Sequence, residues 1–132
     1  MRLGWAGRAL LCFACLTFGA FPASAEPARF VSVVEDLPLM GPLTEVSADP
    51  FETPQGRIVR IEAEGRARPA EIERFYNETL PALGWRAAGP EDGEAIAFER
   101  GGERLALRVE PEPGGEVRAT FIITPANSRA GD

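Results

Sequence analysis

One stretch of this chain, from Pro69 to Gly84, repeats its apolar side chains at helical spacing, and it stands among segments that alternate with the period of a strand. Ile72, Phe75, Tyr76, Thr79, Leu80 and Leu83 recur every three or four residues, which sets them on one helix face. Pro69 suits the first turn, where its missing N–H costs nothing, and Glu71 and Glu73 sit near the positive end of the helix dipole. Pro81 disturbs the last turn, and Gly84 fits the left-handed position that closes it. A lone helix with one apolar stripe must bury that stripe against something else, and the flanking segments indicate a sheet.

Before the helix, Gly56–Gly65 sets Val59, Ile61 and Ala63 on one face and Arg60, Glu62 and Glu64 on the other, the pattern of a half-buried strand. After it come a short strand at Trp85–Ala88, a second at Glu94–Arg100 around Ile96 and Phe98, and a third at Glu103–Glu110 around Leu105, Leu107 and Val109. A last strand, Glu116–Thr124, points Val117, Ala119, Phe121 and Ile123 inward. Gly101-Gly102 reads as a two-residue hairpin turn, and Pro111–Gly115 as a longer one. The pattern predicts an α+β fold, one antiparallel sheet in a β-α-β-β-β meander with a single helix packed on one face. This order looks like that of cystatin-like and related folds, a likeness of topology that brings no function with it. The compact domain is predicted to span 56–125, with a loose polar tail at 126–132.

The segment 26–55 lacks such a period. Its five prolines (Pro27, Pro38, Pro42, Pro50 and Pro54) argue against a helix or a long central strand. Phe30–Val34 is expected to form a short edge strand. Leu37-Pro38-Leu39-Met40-Gly41-Pro42-Leu43 carries too many large apolar side chains for simple disorder, so the segment is expected to lie extended across the domain.

Residues 1–25 have the make-up of a secretory signal peptide. Arg2 and Arg8 supply its positive start, and Ala9–Ala20 is an apolar run too short to span a bilayer. Ala23-Ser24-Ala25 offers the small side chains that signal peptidase needs, so a periplasmic or secreted chain beginning after Ala25 is expected. Lipid attachment at Cys15, which follows Ala14, is the alternative to that cleavage. Cys12 and Cys15 are the only cysteines, and both leave with the signal. So do two of the 14 arginines, which takes the net charge from −6 to −8. A chain this acidic repels nucleic acid and anionic lipid headgroups, and no stable membrane anchor is expected.

The mature chain has no histidine, lysine or cysteine, which removes most nucleophilic designs and the zinc and iron sites built on those ligands. No cofactor is expected. Paired carboxylates could in principle cleave a glycan, and Glu91-Asp92-Gly93-Glu94 is the densest acidic turn, a weak calcium contact at most. The most distinctive run is Phe75-Tyr76-Asn-Glu-Thr-Leu80-Pro81-Ala-Leu-Gly84-Trp85. It resembles an F-Y-x-x-x-L-P-x-x-G-W pattern of small, mostly uncharacterised exported bacterial proteins. With Gly56-Arg-Ile-Val and Leu37-Pro-Leu-Met the likeness covers most of the mature chain, and it implies export without an activity. Read as residues, these aromatics are core.

The expectation is therefore a non-enzymatic periplasmic interaction or accessory domain. Leu37, Leu39, Met40 and Leu43 are its candidate contacts with a protein or peptide partner in the cell envelope, and an exposed sheet edge is a second place for strand addition. The rival readings are a module binding a small apolar or lipid-like ligand between helix and sheet, and a carboxylate-dependent hydrolase of envelope glycan.

Overall fold

A computed structural model of the chain describes residues 29–126. The predicted export signal, both cysteines and the tail from Asn127 lie outside the described residues. Six strands form a single antiparallel sheet: β1 (Leu43–Thr53), β2 (Gly56–Gly65), β3 (Arg86–Ala88), β4 (Ile96–Arg100), β5 (Glu103–Pro111) and β6 (Val117–Pro125). One helix, α1 (Pro69–Thr79), packs on the sheet, so the fold is α+β as its periodicities predict. The strands lie in the order β1-β2-β6-β5-β4-β3. The chain crosses from β2 through α1 to the far edge, then meanders back until β6 pairs with β2.

Direct opposition stacks the inward side chains in rows. Val59, Ile123, Leu105 and Phe98 face one another across four strands, and Ile61, Phe121, Leu107 and Ile96 form the next row. Ala63, Ala119 and Val109 make a third. Ile72 and Tyr76 of α1 are fully buried, and the Tyr76 ring meets Phe121 edge-on with centroids 5.0 Å apart. Glu71 reaches back to the Arg68 backbone N–H (3.4 Å) and its guanidinium (2.8 Å), which closes the helix start and holds the Glu71 carboxyl below the usual carboxylate range. After α1 the chain tightens into one 3-10 turn at Pro81–Leu83, because Pro81 cannot continue the α-helical ladder. Leu83 is thereby turned outward to 36% exposure, although its spacing assigns it to the buried stripe. Gly101 and Gly102 both have positive φ (55° and 79°), the conformation a two-residue hairpin between right-twisted strands demands.

Three expectations need correction. Phe30–Val34 is not an edge strand; it makes one isolated bridge, Phe30 to Pro38. Hydrogen bonds from Val31 N to the Leu37 carbonyl (3.0 Å) and from Leu37 N to the Val34 carbonyl (3.2 Å) fold the chain back on itself. Second, the segment expected only to lie extended across the domain contains an 11-residue strand, Leu43–Thr53, although it is an edge strand and not a central one. It is tolerated because it is the sheet edge, where Pro50 has no second neighbour to donate to. Third, the compact unit begins well before residue 56, since Val31, Val34, Leu37, Leu39 and Leu43 all belong to the buried core.

Candidate functional site

The segment 29–53 divides into two parts with opposite fates. Residues 29–42 form an arm that packs into the core, and β1 follows as the sheet edge. Leu37, Leu39 and Leu43 are 1%, 9% and 0% exposed, and Met40 is half-buried against the same cluster. The residues expected to meet a partner are thus occupied within their own molecule. Five aliphatic side chains of the arm and the start of β1 are buried, each worth about 1.5–3 kcal/mol. Against a typical domain stability of about 5–15 kcal/mol, such an arm is integral to the fold.

Tyr76 explains why the arm turns inward. Its hydroxyl donates to the Pro38 carbonyl (2.9 Å) and accepts from the Met40 N–H (3.2 Å), so the helix satisfies two backbone groups of a segment that has little ladder of its own. Burial pushes the phenol up to about 12. Arg29 donates to the carbonyls of Gly41 and Leu43 (3.0 Å to the latter), and Glu45 accepts from the Ser32 backbone N–H (2.8 Å) and hydroxyl (2.5 Å). Asp36 pairs with Arg100 at 2.6 Å, while the Arg100 guanidinium stacks 4.3 Å above the Trp85 ring. Gly65 lets the arm approach closely, since a Cβ there would stand 2.1 Å from the Pro42 carbonyl oxygen.

The edge strand is different. Val46 is 57% exposed and Phe51 60%, the two most exposed large apolar side chains among the described residues. Val46 stands where the pairing with β2 shifts, at a bulge between Glu45 and Ser47. Phe51 lies directly opposite Ile58, on the face of the sheet away from the one where Val59 and Ile61 enter the core. Two acids of β1 share this edge. Asp49 is opposite Arg60 and Glu52 opposite Arg57, pairings that would normally neutralise both. Each arginine is drawn elsewhere: Arg60 binds Glu62 (2.7 Å), and Arg57 binds Glu103 through two nitrogens (2.7 and 3.2 Å). Among the described residues neither Asp49 nor Glu52 forms an ion pair within 4 Å, although Arg57 still feels the Glu52 charge.

The other predicted sites resolve as follows. The acidic turn at 91–94 folds around a cation of its own chain, with Glu94 accepting from the Glu91 N–H (2.8 Å) and from Arg104 (2.9 Å). Among the described residues no group of three or more His, Cys, Asp or Glu could hold a metal ion. On the outer face of β2, the hydrogen bond from Arg60 holds the Glu62 carboxyl below its ordinary range. Between helix and sheet, the place an apolar ligand would occupy, Trp85, Tyr76, Phe98 and Phe121 are all packed to 2% exposure or less. No helix among the described residues is long and apolar enough to cross a membrane. No protein-family model, curated protein or solved structure matches this chain.

The β1 edge is visible only in outline from sequence. Phe51-Glu-Thr-Pro-Gln-Gly-Arg-Ile58 is a turn flanked by two large apolar residues, and that hairpin signal could have found it. The prolines obscure it.

Proposed function

We propose that this chain is a small, non-enzymatic interaction domain of the bacterial periplasm, exported by residues 1–25 and binding a protein partner through the β1 edge. The observation that carries the reading is the pair Val46 and Phe51, more than half exposed on an edge strand of 11 residues whose outer side faces no other strand among the described residues. A sheet edge offers backbone donors and acceptors to an added strand, and exposed apolar side chains beside it add buried area to the contact. The opposite edge, β3, is three residues long and offers far less. Export rests on the signal-like composition of residues 1–25 and on the resemblance around Phe75–Trp85.

Placing a photoreactive benzoylphenylalanine at position 51 in living cells tests this reading. The same group at Arg74, exposed on α1, is the control. Illumination should give a discrete higher-mass adduct from position 51 and none from position 74, and adding Val46→Asp should remove it. No adduct at 51, or the same adduct at both positions, would contradict the proposal.

A further inference from the structure

The edge carries charge as well as apolar surface, and that charge selects the partner. Resting on the reading above, we infer that β1 takes an extended basic segment, one that presents an arginine or lysine side chain to Asp49 beside Phe51. Asp49 is in no ion pair within 4 Å among the described residues, because Arg60 opposite it is bound to Glu62. Asp49 and Phe51 lie two residues apart on an edge strand, hence on the same face of the sheet. A guanidinium arriving there pairs with the carboxylate while lying over an aromatic ring 60% exposed to solvent. The fold already uses this combination once, where Arg100 stacks on Trp85 and pairs with Asp36.

Charge also sorts the other occupants. A second copy would bring its own Glu45, Asp49 and Glu52 to the same edge, between two chains that each carry −8 after export. An acidic segment meets the same repulsion. Pro50 leaves one position of the edge without a donor, and the bulge at Glu45/Ser47 breaks the pairing line, so the strand resists indiscriminate self-pairing and depends on side chains for affinity.

The test uses the 15N-labelled protein recovered from the periplasm and three acetylated octapeptides: (Arg-Val)4, (Glu-Val)4, and (Arg-Val)4 methylated on alternate backbone nitrogens. (Arg-Val)4 should shift the amides of residues 44–52 saturably. (Glu-Val)4 and the methylated peptide should each bind about tenfold weaker or worse, and Asp49→Arg/Glu52→Arg should reverse the preference between the first two. Equal binding of (Arg-Val)4 and (Glu-Val)4 at β1 would overturn the basic partner while leaving the strand-adding edge intact. Silence at β1 with every peptide would overturn both. Shifts spread over the whole acidic surface, or indifference to methylation, would reduce the effect to unspecific charge attraction and also overturn it. So would a dimer in sedimentation that Asp49→Arg/Glu52→Arg leaves unchanged, since a second copy would then hold the edge.

Discussion

The arm at 29–42 and strand β1 are adjacent, similar in composition and opposite in outcome. Both contain prolines and large apolar residues, and neither shows a clean period. In the arm the apolar groups point inward, with Val34 and Leu37 each 1% exposed. In β1 the pattern reverses beyond Leu43, and Val46 and Phe51 face water. The difference comes from what each part is tied to. The arm has few backbone partners of its own and is fastened by Tyr76, Arg29 and Asp36, contacts that press it against the core. β1 has a full antiparallel partner in β2, so its backbone is satisfied on one side and its side chains need not be buried. Apolar composition therefore marks where burial is available, and backbone satisfaction decides where it is required.

The largest effect should come from breaking the junction between the two regions. Leu43 is fully buried at the first position of β1, so Leu43→Asp places an unpaired carboxylate in the core. A loss of about 4 kcal/mol or more is expected, enough to leave much of the protein unfolded at 37 °C, measured by urea denaturation. A variant as stable as the parent would show that the arm and β1 are not anchored together as described.

A smaller and more diagnostic effect belongs to Tyr76. Tyr76→Phe leaves the Pro38 carbonyl and the Met40 N–H without their partner and should cost about 1–3 kcal/mol. It should also change the alkaline limb of the stability curve. The phenol is raised from 10.0 in the unfolded chain to about 12 in the fold, so the folded state holds its proton more tightly. Stability is then fully present below pH 10 and is lost as pH rises toward 12, by roughly 2–3 kcal/mol in all. Tyr76 is the only tyrosine and there is no lysine, so in protein lacking residues 1–25 and their two cysteines this slope reports a single side chain. Urea midpoints between pH 8 and 12 should fall for the parent and stay nearly flat for Tyr76→Phe. Parallel slopes would contradict the buried clamp.

The same contrast explains which elements the amino-acid sequence discloses by itself. Strands β2, β4, β5 and β6 and helix α1 are legible because one of their faces is buried and the other wet, which writes a period of two or of 3.6 into the residues. An edge strand such as β1 is wet on one face and nearly bare on the other, so little selects for alternation. Its bulge between Glu45 and Ser47 also shifts the phase midway, and Pro50 reads as a breaker unless the strand is known to be at an edge. The arm's burial is half legible: Leu37, Leu39, Met40 and Leu43 clearly need cover. Whether their own helix or a partner supplies it depends on Tyr76, more than 30 residues away. The unpaired carboxylate of Asp49 is not legible at all. It follows from where Arg60 turns, a choice set by the pairing of β2 with its neighbours and by the reach of Glu62.

The division between a core-filling arm and an exposed sheet edge is tested most directly by urea denaturation of Leu37→Ala and Phe51→Ala side by side. Leu37→Ala should lose about 2–5 kcal/mol, as a truncated core leucine does, and Phe51→Ala should stay within about 0.5 kcal/mol of the parent. Equal losses, or a neutral Leu37→Ala, would mean that the two halves of this segment are not the opposites described above.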